Sequence, residues 1–346
     1  MEYKLLVLTP DKVPAGEARS RKSLQWREAY AGSGEAKLVC AATPNNLGIL
    51  QEGSILQLSD RPESLAVILA VKTENVKGKA TMTVRAKPTA CRLADRVLMH
   101  TREIDNAEAG MLSMASDNLR GLPLAVAPAK GLSETYGGQI SWGSVLEAEE
   151  KVAEFTGLGF RVVADGSFAE TFEVYRGKDR TDPESADYVG YFSDSAKMLS
   201  NVSFETDISE LRNAAVVAGE GEGPDRVVVE VDESAGGEKR ELFVDASDIQ
   251  STYKDQAGTE HTMTAGEYQE ALRARGREKL AETRKGIQLS AEISQTNLLY
   301  GRDYGLGDIL PLKIEKYGLS ANVRLTEATL IYEQAKTINC KLEVVS

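Results

Sequence analysis

Apolar and polar positions alternate through most of the first hundred residues, the period of half-buried strands. "EYKLLVL", "SLQWREAY" and "GEAKLVCAA" read as strands joined by short turns, the last two through "AGSG". "TPNNLG" reads as one helical turn capped by Thr43 or Asn45, before a strand from Ser54 to Leu58. Leu65 to Lys87 reads as a hairpin around Gly78, and Pro88 opens a short helix through "TACRLADRVL", since proline suits a first helical turn.

The period then changes. Met111, Leu112, Met114, Ala115 and Leu119 fall on one helical face within Asn106 to Gly121, with Gly121 as the stop. A loop carrying Pro123, Pro128 and Gly137-Gly138 follows. A second helix starts at Ser144, completes a capping box with Glu147 and ends at Gly157. "GFRVVADGSFAETFEVYRG" predicts a hairpin turning at Asp165-Gly166.

Strands return from about Ser200. "RNAAVVAGEGEG" and "DRVVVEVDESAGGEKRELFVDASD" predict a meander turning at Ala235-Gly236-Gly237. A long charged helix spans 265–284 behind a Thr264 cap; it is expected to lie half exposed, weakened by about 1 kcal/mol at Gly276. Four strand candidates end the chain: "IQLSAEIS", "GDILPLKIEKYG", "LSANVRLTEATLIYEQ" and "TINCKLEVVS".

This order does not alternate β and α, so a doubly wound parallel sheet is excluded. It predicts a β-rich α+β chain of small antiparallel barrels or sandwiches with an inserted α+β region. The expected divisions are 1–98, barrel-forming; 99–198, α+β; and 199–346, β-rich with the long helix. They leave open that the first and last parts complete barrels together.

Composition narrows the function classes. With 42% hydrophobic and 27% charged residues, the 346-residue chain has the make-up of a folded protein. Its net charge of −12 makes it a poor candidate for gripping phosphate backbones. Cys40, Cys91 and Cys340 are far apart, and Cys40 and Cys340, in apolar strand-like contexts, read as buried small hydrophobes. The amino terminus lacks a basic leader, and the apolar run Leu65 to Val71 is far short of a bilayer span, so cytoplasmic synthesis without a signal peptide and no membrane insertion are expected.

Candidate chemistry is sparse. His100 and His261 have no ligand-type residue at zinc spacing. There is no G-x-S-x-G elbow, phosphate-binding lysine loop or calcium loop. Gly219 to Gly223 is glycine-rich, but Glu220 and Glu222 would repel a phosphate. The basic run "ALRARGREKLAETRKG" carries Glu278 and Glu282 on its face and reads as a solvated helix. No catalytic, cofactor or metal residue stands out, which favours a scaffold over an enzyme. "YGRDYGLGDILPLK", Tyr300 to Lys313, is the one stretch that could be a two-carboxylate loop; it reads instead as a turn into a strand, with Gly305 and Gly307 allowing the turn, Asp308 bonding nearby amides and Pro311 marking an edge.

Several pieces resemble, in order, one family. They are Trp26 and Tyr30; Gly34, Ala36 and Leu38; Asn46, Leu50 and Gly53; "YRGKDRT" at 175–181; "LRNAAVVAGEGEGPDRVVVEV" at 211–231; "ELFVDASDI" at 241–249; "YGRDYGLGDILPL" at 300–312; and "VRLTEATLIYE" at 323–333. Together they are similar to the siphophage gene-product-thirty-seven-like tail proteins, related to the T-even baseplate hub; Leu325 departs mildly from an expected Ile. The resemblance implies structural roles for Trp26, Tyr30, Tyr175, Arg176, Arg180, Asn213, Gly219, Gly221, Asp245, Asp303, Gly307, Asp308 and Arg324. It also implies a homotrimeric hub at the virion tail tip. Two small barrels per subunit would continue the tail tube, bound to the distal tail ring protein, the tape-measure protein and other baseplate proteins. No cofactor, no sequence-specific nucleic acid and no fibre or lysin module after Ser346 are expected, and the acidic balance suits a lumen that lets DNA slide. The alternatives are a hub-associated cell-wall hydrolase, peptidase or glycosidase, and a host-surface-binding module.

Overall fold

The computed structural model describes residues 3–254, 258–283, 287–333 and 336–345. Alternation along the first and last parts of the chain builds one 13-stranded sheet among the described residues. Its seam joins sequence-distant segments: Leu319–Tyr332 pairs antiparallel with Arg21–Ala29, setting Leu330 opposite Trp26. Trp26 faces Ala36 on its other side, and the small alanine leaves room for the fully buried indole. Leu24, Leu38, Val84, Leu325 and Leu342 belong to the same continuous cluster, so the N- and C-terminal strands share a core.

The long strand Leu319–Tyr332 serves two neighbours in succession along its length. Its first half pairs with Ile309–Ile314 and its second half with Arg21–Ala29, while Lys336–Val344 runs along the other edge. The hairpin predicted around Gly78 is present as Arg61–Val76 and Lys79–Pro88, with Lys77 and Gly78 both at positive φ. Thr43 caps helix α1 (Pro44–Ile49) by accepting from the Asn46 N–H. After Pro88 the short helix forms as a 3-10 helix, Thr89–Asp95.

Residues 102–175 form a second layer with its own core. Helices α2 (Ala107–Asp117) and α3 (Val145–Thr156) pack Met111, Met114 and Val152 against Phe160 and Phe172. Helix α3 has both expected ends: the reciprocal Ser144–Glu147 capping box and Gly157 at φ 69°, a left-handed stop. Helix α2 ends at Asn118, ahead of the expected Gly121 stop, which lies in the following turn at φ 82°. One expectation is corrected here, and the hairpin predicted at Asp165-Gly166 forms with a wider turn. The predicted loop around Gly137-Gly138 is largely a strand, Thr135–Ile140, paired with Arg102–Asn106 across a bulge. The Asp165-Gly166 hairpin closes through five loop residues, 165–169, because the Asp165 carboxylate accepts from the Ser167 and Ala169 N–H groups and stabilises the wider turn.

Residues 207–286 are an insertion. The chain leaves the main sheet at Thr206 and re-enters at Ile287, and these two are direct antiparallel partners. The predicted meander is not formed. Ala214–Ala218 lies in the centre, antiparallel to Val228–Asp232 and parallel to Glu241–Asp245, so the turn at 235–237 is part of a crossover. The uncharged "AAVVA" is nearly buried throughout, as a central strand must be, while the flanking strands alternate with exposed acids.

Helix α4 (Ala265–Thr283) covers one face of this small sheet; the expected terminus at Arg284 lies outside the described residues. Its charge does not leave it half exposed throughout, because Arg275 and Glu278 are buried against the second layer. Gly276 is where helix and sheet come closest: a Cβ there would lie 2.8 Å from Val217 and from Val231.

Candidate functional site

The site grows from Tyr300 to Lys313. Gly307, at φ 83°, bends the chain so that its N–H donates to the Leu325 carbonyl and the Leu325 N–H returns to the Asp308 carbonyl, starting the strand Ile309–Ile314. A Cβ on Gly307 would sit 2.2 Å from the Tyr30 ring, so both conformation and space require glycine. Gly305 has no such demand: nothing lies within 4 Å of a Cβ there.

Asp308 is 5% exposed and ties its own turn to residues 178–180. Its Oδ1 accepts from the Lys178 N–H at 2.8 Å; its Oδ2 accepts from the Gly305 N–H at 2.9 Å and from Arg180 Nε at 2.6 Å. Arg180 is nearly as buried, and its Nη1 donates to the Asp187 carbonyl at 2.9 Å. The backbone seals the contact, since the Ile309 N–H donates to the Lys178 carbonyl and the Arg180 N–H to the Ile309 carbonyl. Gly177 is required by closeness alone, because its Cβ would lie 2.0 Å from the Gly307 carbonyl carbon.

Tyr30 forms the other wall. Its hydroxyl accepts from the Gly177 N–H at 3.1 Å and lies 3.2 Å from the Gly157 carbonyl and 3.3 Å from that of Tyr175. Burial pushes its phenol above the usual range, against the opposing pull of that N–H. Tyr175 meets Tyr30 edge-on at 5.2 Å, and the Arg324 guanidinium sits 5.7 Å from the Tyr30 centroid while donating to the Gly157 carbonyl. Arg176 pairs with Glu134 nearby. Tyr30, Tyr175, Arg176, Arg180, Gly307, Asp308 and Arg324 therefore converge on one junction between the main sheet and the second layer.

The remaining motif residues lie elsewhere. Trp26 is in the main core. Asp303 accepts from the Leu299 N–H and pairs with Arg302, contacts that hold its carboxyl below the usual range and close the local turn. Asn213, Gly219, Gly221 and Asp245 belong to the insertion. Asn213 accepts from the Arg240 N–H and donates to the Glu238 carbonyl; Gly219 leaves room for Tyr268 and Leu272; Gly221 turns at φ 104°; Asp245 accepts from the Ser247 N–H and pairs with Arg226.

Beside the junction is a cleft of about 310 Å³ lined by Glu28, Arg61, Tyr175, Arg180, Tyr300 and Asp308 among others. Sequence reasoning missed Glu28 and Arg61, which lie on ordinary-looking strands. Glu28 Oε2 accepts from Arg61 Nη2 at 2.9 Å and from the Tyr300 hydroxyl at 2.6 Å, while the guanidinium stands 5.0 Å from the Tyr300 ring centroid. The carboxylate is thus used by its partners, and burial together with Glu28 keeps the Tyr300 phenol well above the usual range.

Burial raises the thiols of Cys40, Cys91 (to about 11) and Cys340 (to about 12), so none is a ready thiolate. No group of three or more His, Cys, Asp or Glu that could hold a metal ion occurs among the described residues. None of their helices is long and apolar enough to cross a membrane. The junction fastens the main sheet to the second layer through buried polar contacts.

A family model described as Siphovirus ReqiPepy6 Gp37-like protein matches residues 6–344. No curated protein matches the chain. Solved structures share the fold over nearly the whole length. A tail protein from Neisseria meningitidis has 13% identity and TM-score 0.64, with 99% of this chain and 97% of that one covered. The 43 kDa tail protein of prophage MuSo2 from Shewanella oneidensis has 11% identity and TM-score 0.63, covering 99% and 98%. A prophage tail protein from Listeria monocytogenes has 13% identity and TM-score 0.54, covering 98% and 94%.

Proposed function

The chain belongs to the family of Siphovirus ReqiPepy6 Gp37-like proteins, and on that premise we propose that it is a structural phage or prophage tail protein, the hub at the tail tip. Three copies form a ring that continues the tail tube and binds the distal tail ring protein, the tape-measure protein and other baseplate proteins. The protein is made in the host cytoplasm and works in the virion, with no cofactor and no catalysis of its own. Residues 1–98 and 199–346 build the ring together, and 99–198 lies on its outside.

One observation carries this reading: three tail proteins share the fold over 98–99% of this chain and 94–98% of theirs. The motif residues support it, since Tyr30, Arg180, Gly307 and Asp308 are spent on holding layers together and leave no free acid, base or nucleophile among them.

Light scattering coupled to size-exclusion chromatography tests it, on the purified chain alone and with its distal tail ring protein. Three copies of the 37.5 kDa chain in the assembly are expected. A chain that stays monomeric in both samples refutes the hub reading.

A further inference from the structure

Charge is unevenly distributed along this acidic chain. Residues 207–286 carry 18 Asp and Glu against 11 Lys and Arg, a net −7 out of the chain's −12. Residues 1–98 carry 15 Lys and Arg against 10 Asp and Glu, a net +5. Such asymmetry between parts of one chain is a signal of interaction rather than of folding.

The fold turns it into two faces. On the main sheet, exposed Lys37 lies directly opposite exposed Arg85, and Lys87 follows two residues on, pointing to the same side. Like charges directly opposite each other destabilise a sheet, and none of these three has an ion pair among the described residues. Leu69, 52% exposed, lies on the adjoining strand.

The insertion's sheet has the complementary character. Helix α4 covers one side; on the other, Val216 is flanked by Glu230 and Phe243, and Ala214 by Asp232 and Glu241. Phe243 is 64% exposed and Val228 52%. Lys239 pairs with Asp232 and Arg226 with Asp245, while Glu230 and Glu241 have no direct ion pair among the described residues. An exposed apolar centre with a charged rim is the anatomy of a protein contact.

Within one copy these faces do not neutralise each other. The insertion docks instead on the second layer: Tyr136 donates to Glu278 at 2.7 Å, Arg275 bonds the Gln139 carbonyl, and Tyr253 donates to Glu103. No ion pair joins the two faces among the described residues.

We propose that the Lys37–Arg85 face of one copy receives the Glu230–Glu241 face of the next, a head-to-tail contact between copies of this chain. It rests on the ring reading and specifies which surfaces make the ring: a contact between two different patches closes into a ring when its rotation closes. A polyanion is the weaker occupant, because three unpaired cations neutralise few phosphates and the apolar residues would gain nothing from them.

Charge reversal on the full chain decides the matter, read by sedimentation velocity at low and high salt. Wild type is expected to associate at low salt and weaken with salt. Lys37→Glu/Arg85→Glu and Glu230→Lys/Glu241→Lys should each weaken association roughly tenfold or more, and the fourfold variant should recover it. All these side chains are exposed, so unchanged circular dichroism is expected, and recovery in the fourfold variant excludes misfolding as the cause. Reversals that associate like a trimeric wild type sink this contact and leave the hub reading standing. A wild type that stays monomeric at low salt but trimerises with the ring protein also overturns the contact, and one that does neither overturns both. Duplex DNA bound by wild type and lost with Lys37→Glu/Arg85→Glu, without effect on association, assigns the face to a polyanion instead.

Discussion

Replacing Asp308 with alanine should be among the most damaging single changes outside the main core. The carboxylate and Arg180 have side chains only 7% and 10% exposed, so removing it leaves a buried guanidinium without its anion and strands the Lys178 and Gly305 N–H groups. Breaking a buried pair by deleting one partner costs about 3–5 kcal/mol. That is a large share of a stability of about 5–15 kcal/mol. Asp308→Asn keeps an acceptor for Lys178 but turns an amide donor toward both Arg180 and Gly305; with no buried charge deleted outright by truncation it should cost less, about 1–3 kcal/mol. Arg180→Met in the Asp308→Asn background should add little further loss, because the partner it would have orphaned is already neutral. Urea unfolding is followed by the fluorescence of Trp26, which is fully buried and reports the main core, whereas Trp142 is 62% exposed. If Asp308→Ala lies within about 1 kcal/mol of wild type, the carboxylate's hold on residues 178–180 is not what stabilises the junction.

Two further substitutions test other parts of the fold. Glu149 is fully buried with neither carboxyl oxygen hydrogen-bonded, and burial raises its pKa well above the ordinary value, only partly offset by Arg102. Its folded-state pKa exceeds the unfolded one, so its contribution is greatest at acid pH and falls as pH rises from about 4.3 toward the folded value, by up to about 1.4 kcal/mol per pH unit. Glu149→Leu should remove that slope and raise stability at neutral pH, and equal slopes in urea titrations across pH would contradict the assignment. Gly276→Ala would ordinarily stabilise a helix by about 1 kcal/mol; here its Cβ would meet Val217 and Val231, so a lowered melting temperature is expected and a raised one refutes the close approach of α4 to its sheet.

The parts legible in the sequence are those whose physics is local. Ser144, Glu147 and Gly157 mark both ends of α3 because caps act within one turn of the residues they satisfy. Thr43 could be read before α1 for the same reason. The Ala235-Gly236-Gly237 turn misled because a turn signal says that the chain reverses, while which strands then pair is decided by burial on both faces. "AAVVA" carried that information, having no charged residue to turn toward water, and it marks the central strand. Gly276 looked like a weakness in α4 because the strands it meets lie some 45 to 60 residues earlier in the chain.

The junction shows the same limit from the other side. Asp308 was read as a turn residue, and its bond to the Gly305 N–H is that local part. Its partners Lys178 and Arg180 lie 130 and 128 residues away, on a stretch with no propensity signal linking it to Asp308. Only the family resemblance named both stretches, without saying that they touch. That they do gives a physical reason for the shared wording. Gly177 has no room for a side chain against the Gly307 backbone, Gly307 none against the Tyr30 ring, Tyr30 needs the Gly177 N–H, and Asp308 needs Arg180. A change in any one leaves a clash or a buried unpaired group in the others, so these residues act as one fastening between the main sheet and the second layer.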